Sequence, residues 1–95
     1  MNYSTYGTIT FPTESLNLVQ IAKISFADDT LIVLLKDRRA IHLEMAYYPW
    51  LQWLYNATPA QRSKWEIVPS GGGVWWSELD DGIELQHLLD LQPLR

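Results

Sequence analysis

The residues best equipped for chemistry in this 95-residue chain are one carboxylate cluster, two histidines, a glycine triplet and five tryptophans. Glu78, Asp80, Asp81 and Glu84 form the only cluster of acids that could hold a cation or share a proton. A calcium loop needs six or more oxygens in fixed order, and Asp80-Asp81-Gly82 lacks the spaced ligands and the closing glutamate of such a loop. The four acids read instead as a turn and a helix N-terminus, where the helix dipole stabilises negative charge. His42 and His87 make no His-x-x-x-His pair, and His42 falls on the polar face of a strand, so neither ring has the partners that metal ligation or general-base chemistry requires. Gly71-Gly72-Gly73 precedes Val74-Trp75-Trp76, which has the pattern of a strand. A phosphate cradle precedes a helix and is usually followed by Lys and Ser or Thr, so the triplet reads as a hairpin turn. With no cysteine there is no disulfide framework, thiolate zinc site, iron–sulfur cluster or cysteine nucleophile. No set of nucleophile, base and orienting group can be assembled, and the expectation is a protein that is not an enzyme and carries no metal or cofactor.

Charge is unevenly spread. Six bases face four acids between residues 23 and 64, whereas from Trp65 onward one base faces six acids, within a net charge of -4. That overall sign argues against a general electrostatic grip on nucleic acid or anionic lipid. Lys36, Arg38 and Arg39 on one turn are the exception, and they define an alternative reading as a nucleic-acid-associated regulator. The segment Met1 to Leu18 has no Lys or Arg and no apolar run of signal-peptide length. The longest apolar run, Leu31 to Leu35, falls far short of the ~18–20 residues of a membrane helix, so a soluble, cytoplasmic protein without membrane contact is expected.

The elements that must position these residues follow from periodicity. Residues 1–18, rich in Thr, Ser and Asn, read as an arm in which Tyr6 to Phe11 could add an edge strand before Pro12, a route to homo-oligomers. Residues 19–95 then form a single α+β domain. From Val19 to Phe26 the strand alternation slips phase, which a bulge near Ala22 reconciles. Ala27-Asp28-Asp29-Thr30 is a hairpin turn, Leu31 to Leu35 a central strand covered on both faces, Lys36-Asp37-Arg38-Arg39 a second turn, and Ala40 to Met45 an alternating third strand. The result is an antiparallel β-meander. The period then changes, and Tyr47, Trp50, Leu51 and Leu54 share a stripe roughly 100° wide on one main helix, Tyr47 to Asn56, with Pro49 in its first turn and Gln52 and Asn56 on its polar back. Thr58 caps a short second helix that runs from Pro59 to about Ser63. Trp65 to Val68 and Val74 to Trp76 make a second strand pair joined by a loose turn, Glu78 to Gly82 a loop, and Leu85, Leu88 and Leu89 one face of a short C-terminal helix.

Taken in order, Leu31 to Arg39, Tyr48-Pro49-Trp50-Leu51, Ala57-Thr58-Pro59-Ala60-Gln61-Arg62-Ser63-Lys64-Trp65, Gly73-Val74-Trp75-Trp76-Ser77-Glu78-Leu79-Asp80, Ile83-Glu84-Leu85 and Leu88-Leu89 resemble the bacterial domain-of-unknown-function family numbered 2442. The resemblance implies a small α+β domain with a helix packed on a meander sheet. It implies no assigned activity, and it implies frequent pairing with a small toxin-like protein encoded alongside. Members usually have Asp-Gly where this chain has Asp37-Arg38, which leaves Arg38 either at positive φ or in a longer turn, and commonly a basic residue where it has Trp50.

The aromatic residues carry the functional expectation. Trp50, Trp65 and Trp76 face inward, while Trp53 lies about 60° outside the helical stripe and Trp75 points opposite to Trp76. Exposed Trp and Tyr are enriched in interface hot spots because they bury large rigid areas at low entropic cost. The chain is therefore expected to be an antitoxin-like or regulatory interaction module. Tyr48, Trp50, Trp53, Tyr55 and Trp75 would make apolar contact with a small basic protein partner, and Glu78, Asp80 and Asp81 would match its charge.

Overall fold

The computed structural model describes residues 19–91. The arm at residues 1–18, with its expected strand and its role in self-association, lies outside the described residues. Three strands, β1 (Ile21–Ala27), β2 (Thr30–Leu35) and β3 (Ala40–Glu44), form an antiparallel meander in that order. Ile21 and Lys23 pair with the adjacent residues Leu35 and Leu34, so Ala22 is the extra residue of a bulge. The bulge restores phase: Ile21 and Ile24, three positions apart, both point into the core. Across the sheet, Ile24, Val33 and Ile41 stand side by side as one buried row. Leu31, Val33 and Leu35 are buried whereas Ile32 and Leu34 are half-buried, so the central strand has one fully covered face instead of two.

Both turns use positive φ without glycine. Asp28 sits at φ 54° in the first, as a short polar side chain tolerates. In the second, the Arg38 N–H donates to the Leu35 carbonyl at 3.0 Å, the Leu35 N–H to the Arg39 carbonyl at 2.9 Å, and Arg38 holds φ 78°. This is the three-residue hairpin whose last position favours glycine. Asp37 braces it by accepting from the Arg39 backbone at 3.1 Å and from the Arg39 side chain at 2.8 Å. Those two hydrogen bonds, the side-chain one foremost, hold the Asp37 carboxyl below the usual carboxylate range. A left-handed conformation costs a non-glycine residue about 1–2 kcal/mol, partly offset by the greater freedom glycine has when unfolded. Arg38→Gly is accordingly expected to raise stability by about 0.5–1 kcal/mol, read as a higher urea midpoint at unchanged slope.

The main helix is shorter and more broken than its periodicity suggests. Tyr48 is extended at φ -115°, ψ 111°, as a residue before proline prefers to be, and this splits the segment. Short 3-10 turns at Met45–Tyr47 and Pro49–Leu51 precede a one-turn helix, α1 (Gln52–Tyr55). Tyr47 consequently leaves the apolar stripe and is 77% exposed, whereas Leu51 and Leu54 are fully buried. Gln52, expected on a solvated back, donates to the carbonyls of Met45 at 3.2 Å and Tyr48 at 3.1 Å and fastens the break. Thr58 caps α2 (Pro59–Arg62), and its exchange with Gln61, 3.1 Å one way and 2.9 Å the other, completes a capping box.

The second sheet has three strands where two were expected. β4 (Glu66–Ile67), β5 (Gly73–Trp76) and β6 (Asp81–Glu84) pair antiparallel in sequence order, and α3 (Leu85–Leu91) follows directly. Asp81-Gly82 has the composition of a turn, but the turn itself is Ser77 to Asp80, with Asp80 at φ 53°, and backbone pairing to β5 recruits Asp81 and Gly82 as an edge strand. The glycine-rich connection is not loose. The Gly71 N–H donates to Val68 at 2.8 Å, and its carbonyl accepts from Ile21 at 2.9 Å, which ties the second sheet to the first strand of the meander. Trp76, Leu51, Leu54, Leu88 and Met45 fill the space between the sheets and the helices. Among the described residues no helix is long and apolar enough to cross a membrane.

Candidate functional site

Strand alternation divides the tryptophans into two groups. Trp76 points into the core, fully buried, and its indole N–H donates to the Arg62 carbonyl at 3.0 Å. Trp53 packs edge-on against Trp76 with ring centroids 5.6 Å apart, and its own N–H donates to the Trp50 carbonyl at 2.8 Å. Trp53 is therefore half-buried on the core side of the second sheet, and Trp75, on the opposite side of that sheet, cannot share a contact surface with it. Trp50 is half-buried too, with the Tyr48 ring 5.6 Å away and the ring of His87 tilted against it at 4.5 Å. Tyr55 is half-buried at the end of α1.

Arg62 organises the core side. Its side chain is 13% exposed, and the guanidinium donates to the carbonyls of Leu54 (3.2 Å), Tyr55 (2.8 Å) and Asp28 (3.1 Å), reaches the Asp29 carboxylate at 3.2 Å and lies 5.5 Å from the centre of the Phe26 ring. At the end of α1 the Leu54 carbonyl accepts from the Ala57 N–H at 3.1 Å, while the Tyr55 carbonyl has no continuing helix to satisfy it, and a planar cation with five donors is suited to that position. Nothing in the chain's charge pattern marks Arg62 out from the other bases. The available signal was the Thr-Pro-Ala-Gln-Arg run, because a capped four-residue helix fixes the direction in which its last side chain leaves.

Trp75 stands apart. It is 39% exposed at the centre of the outer face of the second sheet. Its cross-strand neighbours are Glu66 on β4 and Gly82 on β6; in the next row Gly73 faces Glu84. Gly82 puts no side chain beneath the indole. A Cβ added to Gly82 would lie 2.8 Å from Trp75 Cε3 and 2.5 Å from the Val74 carbonyl oxygen, so the ring leans directly over that glycine. An open groove of about 550 Å³ runs along this face, lined by Val68, Gly72, Gly73, Trp75, Gly82 and Glu84 among others.

The remaining candidates are dispersed. Glu78 pairs with Lys64 at 2.6 Å, Asp80 sits exposed in the turn, and Asp81 accepts from the Gly82 N–H at 2.8 Å. Among the described residues no group of three or more acids and histidines is placed to hold a metal ion. On the basic turn, Arg39 is paired with Asp37 and Lys36 donates to the Gln20 side chain at 3.0 Å, while Arg38 is exposed. His42 is exposed on the outer face of the meander opposite Ile32.

The family model described as "Protein of unknown function (DUF2442)" matches residues 21–93, most of the chain. This chain belongs to the DUF2442 family. No curated protein matches it. Among solved structures, an uncharacterised protein from Chromobacterium violaceum, determined by solution NMR, is similar at 23% identity with a TM-score of 0.65, over 83% of this chain and 72% of that one. A protein of unknown function from Rhodospirillum rubrum, determined by crystallography, is similar at 24% identity with a TM-score of 0.62, over 76% of this chain and 86% of that one. At such identities the likeness concerns the fold. Within this fold Arg38 holds a positive φ of 78°, and the Trp50 indole packs tilted against the His87 ring.

Proposed function

We propose that this DUF2442 domain is a non-enzymatic protein-interaction module and that its partner binds the outer face of the second sheet, centred on Trp75. The observation that carries this reading is a large aromatic ring, 39% exposed, set on a sheet whose neighbouring positions are glycine. A rigid indole of this kind gives up little entropy on binding and offers a large contact area. Glu66 and Glu84 put negative charge on the same face as the ring, which suits a basic partner, and a small toxin-like protein would be one such partner. Trp53, with its indole N–H already bonded and its ring against Trp76, contributes to the core beneath and not to the contact.

The test is quantitative binding with a defined partner. A protein that copurifies with the tagged chain from its native host is identified, produced separately and titrated against the wild type and two variants. Trp75→Ala is expected to weaken binding about 30-fold, the effect of removing a central aromatic anchor, while Tyr47→Ala changes it less than about threefold. Equal affinity for the wild type and Trp75→Ala would remove this face from consideration.

A further inference from the structure

We infer that the group recognised on the Trp75 face is a cationic side chain, arginine or lysine, carried by an extended segment of the partner and laid on the indole between Glu66 and Glu84; this rests on reading that face as the partner's binding surface. The register of the sheet sets the arrangement. Glu66, Trp75 and Gly82 form one row across the three strands. Val68, whose N–H donates to Gly73 at 3.0 Å, with Gly73 and Glu84 forms the next row. Residues directly opposite in an antiparallel pair project to the same face, so both glutamates rise on the side where Trp75 is exposed. Cross-strand spacing puts Glu66 about 5 Å and Glu84 about 7–8 Å from Trp75.

Charge then selects the occupant. The groove is lined by Asp81 and Glu84 and by no base. Lys64, the nearest base along β4's line, is held by Glu78 at 2.6 Å. Among the described residues Glu66 and Glu84 make no ion pair. A phosphate or carboxylate entering here would be repelled, and an aliphatic chain would desolvate two carboxylates with nothing to compensate. A guanidinium or ammonium meets the negative face of an indole, the strongest aromatic partner for a cation, with a carboxylate on either side. The open groove of about 550 Å³ alongside the ring has room for the segment that carries it.

The probe is the peptide acetyl-Ser-Arg-Ser-Arg-Ser-Arg-Ser-amide, compared with the same peptide in which citrulline replaces each arginine, an isosteric change that removes the charge. Both are titrated into the intact chain, following by NMR the Trp75 indole N–H and the backbone amides of β5 and β6, the amides alone in Trp75→Phe, with a Glu66→Gln/Glu84→Gln variant alongside and folding checked by circular dichroism. The expected result is at least tenfold tighter binding of the arginine peptide than of the citrulline peptide. The same loss, about tenfold, is expected in the double glutamine variant, a smaller one in Trp75→Phe, and weakening with added salt in the wild type. Equal binding of the two peptides at Trp75 would overturn the cation assignment while leaving the face as a protein-binding surface. A Trp75 signal that answers neither peptide would also overturn it. The defined-partner titration with Trp75→Ala decides the broader reading separately.

Discussion

Alanine in place of Arg62 is expected to lower the unfolding free energy by about 3–4 kcal/mol, a large part of the 5–15 kcal/mol typical of a domain. The guanidinium donates to three backbone carbonyls, at Leu54, Tyr55 and Asp28; alanine leaves the part-buried Tyr55 carbonyl without that donor, while Leu54 keeps the Ala57 N–H, and it also unties the first hairpin turn from the end of α1. The ion pair with Asp29 is the smaller component, because that carboxylate is 55% exposed and water replaces the lost charge. Asp29→Ala should therefore cost under about 1 kcal/mol, which separates carbonyl capping from charge pairing as the source of the effect. Arg62→Lys keeps the charge but loses the fork that reaches the end of α1 and the first hairpin turn together, and it should recover less than half of the alanine loss. Urea unfolding followed by tryptophan fluorescence measures all three.

Gly71→Ala is expected to destabilise by about 2–4 kcal/mol through two independent costs. At φ 77° an alanine enters the left-handed region, and its Cβ would stand 2.8 Å from the Gln20 Cβ and 2.9 Å from two further atoms of that side chain. Displacing Gln20 strains the hydrogen bond by which the Gly71 carbonyl holds Ile21, and with it the edge of the meander. Gly72→Ala is the contrasting control: its nearest contact would be the Ser70 hydroxyl at 3.2 Å, and its φ lies outside the left-handed region. A loss of under about 1 kcal/mol is expected there, since the neighbouring hydroxyl can rotate away. Equal losses at the two positions would mean that the joint between the sheets is not made at Gly71.

Much of the fold was legible because it depends on local pattern. The phase slip between Ile21 and Ile24 located the bulge at Ala22, Thr58 before Pro59 located a capped helix, and the alternation at Trp75 and Trp76 put the two rings on opposite faces. The errors arose where one local preference overrode another. Pro49 forced Tyr48 to be extended, which broke a helix that apolar spacing alone favoured and released Tyr47 to solvent. Asp81 and Gly82 have the residue types of a turn, yet the β5 backbone recruited them into an edge strand. Two features depend on contacts distant in sequence and left little local trace: the clamp made by Arg62, whose partners are chiefly backbone carbonyls, and the burial of Trp53, which depends on the position of Trp76. The candidate face was half legible, since Trp75 could be named from its period, but the glycine floor and flanking glutamates emerge only once β4, β5 and β6 are in register.

The indole N–H signals of the five tryptophans offer the most direct test of Trp75 as the binding centre. In the free protein, those of Trp53 and Trp76 should exchange slowly with solvent because both donate to carbonyls, at 2.8 Å and 3.0 Å. On titration with the copurified partner, the Trp75 signal, assigned by its absence in Trp75→Phe, should shift most while those of Trp53 and Trp76 hold their positions. A Trp75 signal that stays in place while that of Trp50 or Trp53 moves would contradict the account and transfer the contact to the helical side of the molecule.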